Sequence, residues 1–314
     1  MVNIPPSVLL DSILDSATLC CISSLLLLSL ISLAFVFHLR FKSRDARKLQ
    51  SFNSLWTVRF LLVTFIILWA FSELLRLSFF RRKYLFPFLP SLTLKQQANF
   101  CKVHVVFSFG FFEPGFLVTQ LFLVNVSIKK RTPHGCWAVV FVLATCFPVL
   151  FMQVLLVFFS GLDQLPLADV FLRSSKIWRN DIGDEVVLCV YPLMSSIIFG
   201  SFGIWYLIVF ALSCFKMVTL VINKGLRIRI YGLAFTVLIM LPLEIIFLVL
   251  SIIWGPEEMP YSAFAFLVFA TTLVIAAMGE GIMVIKPIVD SLAAGEDKVF
   301  PSPSDRLSSE MEKL

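Results

Sequence analysis

Seven apolar runs, each long enough to cross a bilayer, occupy most of this 314-residue chain. A crossing helix needs about 20 apolar residues, and the runs fall at about 17–39, 55–79, 102–127, 136–159, 188–215, 230–254 and 261–285. Apolar residues make up 59% of the sequence and charged ones 15%, where a soluble domain carries about a quarter charged. A water-facing fold is therefore excluded. Stretches such as Leu25–Leu28 and Ile245–Leu250 lack the alternation that barrel strands need, and open backbone cannot face lipid. The pattern predicts an all-α integral membrane protein, a seven-transmembrane helix bundle over 17–285. A short extracytosolic segment (1–16) precedes it, and a cytosolic, largely disordered tail (286–314) follows.

Charge placement sets the expected orientation. The first 16 residues hold Asp11 and Asp15 but no Lys or Arg, whereas Arg40, Lys42, Arg44, Arg47 and Lys48 follow the first run. By the positive-inside rule the N-terminus lies outside and the C-terminus in the cytosol. Lys129, Lys130 and Arg131 then fall in one inner loop, and Lys216, Lys224, Arg227 and Arg229 in another. Twelve basic residues lie in the inner loops against seven in the outer ones, with Arg81, Arg82 and Lys83 in loop 2 dissenting. The net charge of +6 sits in these short connections, so it does not point to nucleic acid. The start lacks a basic segment ahead of its apolar run, and that run is too long for a signal peptide. The first span is expected to insert as an uncleaved anchor.

The longest connection, about 160–187, carries Leu167, Val170, Phe171, Ile177 and Trp178 among charged residues. That spacing fits a short amphipathic helix lying on the bundle mouth, with a solvated loop as the alternative. Tyr84–Pro90 in loop 2 is too broken for a helix and too apolar for open water, so interfacial packing is expected. Residues 295–314 are polar and rich in Ser and Pro, a composition that stays disordered.

Four glutamates lie within the apolar runs: Glu73, Glu113, Glu244 and Glu280. A charge near the bilayer centre costs on the order of 3 kcal/mol and is by default a functional-site candidate. In span 3, Glu113, Gln120 and Ser127 recur every seven residues, hence on one inward face. Pro114 and Gly115 follow Glu113 directly, and the missing proline N–H predicts a kink. In span 2, Arg59, Ile66, Trp69, Glu73 and Arg76 share a face, and Glu73 and Arg76 are spaced to pair. Glu244 follows Pro242 in span 6, repeating the juxtaposition of acid and proline. Glu73, Glu113 and Glu244 are expected to converge at middle or outer depth. Glu280, between Gly279 and Gly281 in span 7, is an inner candidate in a setting that permits close helix contact. Each acid has a plainer reading as a structural side chain hydrogen-bonded to a neighbouring helix. Ser196, Gly200 and Gly203 in span 5 predict close packing.

Cys101 and Cys189 both fall at the expected outer side, where oxidising conditions would allow a disulfide tying loop 4 over the bundle. Two unpaired thiols are the alternative. His38, His104 and His134 are too scattered for one zinc site. No nucleophile elbow, Gly-x-Gly-Asp pattern or glycine-rich phosphate loop occurs. Neither an enzymatic activity nor a metal or cofactor is expected.

The blocks Phe52–Arg59, Leu85–Pro90, Gly110–Phe116 and Val124–Lys130 resemble those of a plant seven-span family of candidate G-protein-coupled receptors. The resemblance implies a plant receptor-like membrane protein engaged in signal transduction. Span 3 ends in Ser127-Ile128-Lys129-Lys130 and span 7 in Lys286-Pro287-Ile288-Val289-Asp290, in place of the Asp-Arg-Tyr and Asn-Pro-x-x-Tyr of the large rhodopsin-like class.

Three functions are expected from these readings. The first is a receptor-like protein with a small-molecule cavity near Glu73, Arg76, Glu113, Gln120 and Glu244, and hinges at Pro114, Gly115 and Pro242. Glu280 would act as an inner switch. Lys129, Lys130, Arg131, Lys224, Arg227 and Arg229 would meet a heterotrimeric G protein or another cytosolic signalling partner. The second is a proton-coupled transporter working through the same acids, and the third a membrane scaffold. The plasma membrane is the expected residence, an endomembrane the alternative.

Overall fold

Where the apolar runs lie, the chain coils into helices, because without water each backbone N–H and C=O must pair within its own segment. Seven helices have the length and composition to cross a membrane: Ser12–Phe41, Trp56–Arg76, Leu94–Val126, Gly135–Phe159, Leu193–Leu220, Lys224–Ile253 and Pro260–Asp290, here spans 1 to 7. The structure, a computed structural model, describes residues 6–42, 55–77, 80–81, 93–126, 135–159, 171–179, 185–221, 224–255 and 258–290. The basic loop residues Lys129, Lys130 and Arg131, the Tyr84–Pro90 segment and the tail beyond 290 lie outside the described residues.

Sequential spans pack as neighbours, 1 on 2, 5 on 6 and 6 on 7, and span 7 returns to span 1. Span 3 packs against spans 2, 4 and 5. Its apolar window is 83% buried while that of span 4 is 17% buried. Span 3 therefore runs through the middle of the bundle, and span 4 presents Phe147, Phe151 and Phe159 on the outside. Trp69 anchors the core, stacked on Phe269 at 5.7 Å and edge-on to Phe116 at 6.4 Å. Gly203 sits where a Cβ would come 2.9 Å from Ile245 Cδ1, so the close packing predicted for span 5 is made against span 6.

Boundaries in spans 1, 3, 5, 6 and 7 differ from the hydropathy reading by five residues or more: span 1 starts at Ser12 rather than 17, and span 5 runs Leu193–Leu220 rather than 188–215. Span 3 starts at Leu94, not 102, because Thr93 and Gln96 form a capping box: Gln96 N donates to Thr93 Oγ1 and Thr93 N to Gln96 Oε1. A polar first turn is helical for reasons of capping, which hydropathy does not register. Span 6 starts at Lys224, not 230, and span 7 runs on to Asp290. Lys224, Arg227 and Arg229 are thus on the first turns of a helix rather than in a loop. Basic side chains are good helix formers and reach past a span's end to water. Arg227 Nη2 donates to Val221 O at the end of span 5, and Arg229 pairs with Asp290 of span 7.

The expected amphipathic helix in the long connection is replaced over its second half by a hairpin. Strand β1 (Ser175–Arg179) pairs antiparallel with β2 (Glu185–Cys189), Ser175 facing Cys189. Ile177 and Trp178, read as part of a helical stripe, lie on β1. The β-branched Ile177, Val186 and Val187 favour an extended chain, and Asn180, Asp181 and Gly183 between the strands are turn formers. Val187 is buried, so the hairpin packs down onto the bundle.

Candidate functional site

The site grows out of a defect in span 3. The helix Leu94–Phe107 widens into a π turn over Ser108–Phe112 before regular helix resumes at Glu113. Glu113 donates its backbone N–H to Ser108 O, five residues back. Pro114 explains this. It has no N–H for the carbonyl four residues earlier, and its ring would strike that carbonyl; widening the preceding turn moves the carbonyl aside. The expected kink is therefore present as a π turn, a feature common at functional sites. Gly115 follows with the Phe65 ring 2.6 Å from where its Cβ would be, so spans 2 and 3 touch at the defect. By contrast, span 6 stays helical from Lys224 to Ile253 straight through Pro242.

The π turn aims Glu113 at the bundle centre. Its Oε1 accepts from Trp69 Nε1 at 2.9 Å and from Ser108 Oγ at 3.0 Å. The Glu113 carboxyl also lies within hydrogen-bonding reach of Glu244 from span 6, which in turn reaches Thr272 of span 7. Both acids are buried, and Glu113 Oε2 and Glu244 Oε1 have no donor among the described residues. Two bare carboxylates within that reach repel; the pair holds together when a proton or a cation lies between them.

Glu73 is the third member, close enough to act electrostatically on both. It is already neutralised. Arg76 Nε donates to Glu73 Oε2 at 2.8 Å, and His104 Nε2 lies 3.7 Å from Oε1. His104 Nδ1 is tied to Ser72 through Oγ at 3.0 Å and the carbonyl at 3.1 Å. The three acids do converge, with distinct roles: Glu73 anchors an ion pair, while Glu113 and Glu244 face one another.

The hairpin closes this end of the bundle. Cys189, the last residue of β2, is disulfide-bonded to Cys101 of span 3, and Tyr261 Oη of span 7 donates to Cys189 O at 2.8 Å. Arg81 Nη2 donates to Val187 O at 2.8 Å, and Nη1 lies 3.5 Å from Cys101 Sγ. Burial pulls the Arg81 pKa down to about 10, with Asp15 of span 1 opposing the shift, so the guanidinium is still a cation at neutral pH. Burial pushes the Tyr191 hydroxyl well above its ordinary range, with Arg76 opposing; its ring lies 6.0 Å from the Arg76 guanidinium.

Glu280 belongs to another interface. Its Oε2 accepts from Ser29 Oγ of span 1 at 3.0 Å. Gln120 is buried away from Glu113, its Nε2 donating to Ile275 O at 3.4 Å and lying against Gly279. Gln153 of span 4, unremarked in the sequence reading, exchanges hydrogen bonds with Ser195 of span 5. Its signal was a lone amide in an apolar run, the same signal that singled out Gln120. Ser108 and Thr272 gave no signal, since hydroxyls in spans commonly bond their own helix backbone.

The family model described as uncharacterised conserved protein UCP031277 matches residues 4–299. The chain belongs to that family. The UCP031277 match spans all seven helices, the hairpin and every acid of the cluster. No curated protein and no solved structure matches the chain.

Proposed function

We propose that this UCP031277 member is a receptor-like seven-span membrane protein whose switch is the contact between Glu113 and Glu244. The observation that carries the reading is that contact: it joins the central span, at its π turn, to span 6, the helix whose far end bears Lys224, Arg227 and Arg229. A ligand or ion inserted between the carboxyls would move span 6 against span 3, and the movement would be felt at the basic end. The hairpin end would face outward, with the N-terminus, as the positive-inside count suggests. The basic end would face the cytosol and a heterotrimeric G protein or similar partner, in the plasma membrane.

Reconstitution in nanodiscs with a heterotrimeric G protein tests this. Guanine-nucleotide exchange above that of empty nanodiscs, altered in Glu113→Gln and Glu244→Gln, supports the reading. Exchange equal to empty discs in all three proteins removes it.

A second reading draws on the same acids. Carboxyls sharing a proton are also what a proton-coupled transporter uses. Proteoliposomes under a pH gradient separate the two: proton flux lost in Glu113→Gln favours transport, and tight vesicles exclude it.

A further inference from the structure

Glu280 is wholly buried where spans 7 and 1 meet, and it is not accounted for by the Glu113–Glu244 contact. Among the described residues its carboxyl accepts one well-formed hydrogen bond, from Ser29 Oγ to Oε2 at 3.0 Å, and Oε1 has no partner. One turn further along span 1, Ser32 faces the same carboxyl, and its hydroxyl makes no well-aligned bond of its own. Ser29, Ser32 and Glu280 are all fully shielded from solvent. Among the described residues, no Lys, Arg or His forms an ion pair with Glu280.

The chemistry of the donors narrows what such a place would hold. Two carboxylate oxygens and two hydroxyl oxygens are hard ligands, suited to hard cations and to neither thiophilic nor imidazole-seeking metals. One carboxylate balances a single positive charge. A divalent ion would leave a net charge buried, at a desolvation cost of several kcal/mol per ion. Both serines could turn their lone pairs to a cation, whereas with none bound only one of them finds a good acceptor geometry. The π turn Gly281–Ile285 begins at the next residue, with Lys286 N donating to Gly281 O and Pro287 following. The backbone beside Glu280 thus departs from regular helix as it does beside Glu113.

We infer that Glu280, Ser29 and Ser32 form a monovalent-cation site that takes sodium and clamps span 7 to span 1. The inference is independent of the receptor reading. Bound sodium joins the two spans through its ligands, so it stabilises the folded bundle.

The test uses the full chain in neutral-lipid nanodiscs, melted in sodium chloride and in choline chloride at equal ionic strength. The melting temperature is expected to rise by a few degrees in sodium, linearly with the logarithm of its concentration well above the dissociation constant. Glu280→Gln should lose that rise, and Ser29→Ala with Ser32→Ala should weaken it. Equal melting in the two salts overturns the inference, as does a full sodium shift in Glu280→Gln. If Glu280→Gln does not fold, radiolabelled sodium binding to the wild-type chain and to the double serine variant decides. Saturable binding to the wild type that weakens in the variant supports the site; none, or equal binding to both, overturns it.

Discussion

Gln120 Nε2 occupies the space that a Cβ on Gly279 would fill. The amide of the central span lies against Gly279 of span 7 and donates to Ile275 O. A side chain at 279 must push Gln120 away and break that bond. Gly279→Ala is expected to lower stability by about 1–3 kcal/mol, the usual cost of overpacking. Gln120→Ala should relieve most of it. Thermal unfolding of the two single variants and the double variant checks this; additive losses would mean that the two residues are not coupled.

Trp69 joins the acid site to the core by two separable interactions, its ring stacked on Phe269 and its indole N–H on Glu113. Trp69→Phe keeps most of the stack and removes the donor. The loss of one donor to a buried acceptor should cost about 1–3 kcal/mol, while Trp69→Ala should cost about 3–5 kcal/mol by opening a cavity as well. Unfolding in the same nanodiscs measures both. Trp69→Phe as stable as the wild type would show that Ser108 alone suffices for Glu113 Oε1.

The residues legible in the sequence were those whose cost is visible without a partner. An acid in an apolar run is costly wherever it points, so Glu73, Glu113, Glu244 and Glu280 could be named, and all four are buried. The spacing of Glu73 and Arg76 predicted their pairing because the helix itself supplies the geometry. What could not be read was contact between distant segments: which donor satisfies Glu113, that Glu280 meets Ser29, that Gln120 turns to Gly279 while Glu113 turns to Glu244. The long connection misled for a related reason. Leu167 to Trp178 fits a helical period, but over five residues a strand and a helix stripe are hard to distinguish, and the pairing with β2 that decides the matter lies ten residues on.

The Cys101–Cys189 bond closes a loop spanning 88 residues and holds the hairpin over the acid cluster together with Arg81. Cys101→Ser is expected to lower stability by about 2–4 kcal/mol and to raise backbone hydrogen exchange in β1 and β2 before the spans. A non-reducing peptide map should recover the two cysteines in one cross-linked species. Finding both as free thiols in protein from native membranes would mean that this end of the bundle faces a reducing compartment.

Gln153 and Ser195 satisfy each other across spans 4 and 5: Gln153 Nε2 donates to Ser195 O at 3.0 Å, and Ser195 Oγ donates to Gln153 Oε1. Nothing else ties the exposed fourth span to the fifth by side-chain hydrogen bonds among the described residues. Gly110 lies beneath, where a Cβ would come 3.2 Å from Gln153 Cγ, so the amide has little room to find another partner. Within lipid an unfolded helix finds alternative partners, which holds such couplings to about 0.6 kcal/mol on average and about 1.7 at most. Confinement by Gly110 argues for the upper part of that range. A double-mutant cycle of Gln153→Leu and Ser195→Ala should therefore return a coupling of about 1–1.7 kcal/mol. A value near zero would mean that apolar packing alone seats span 4.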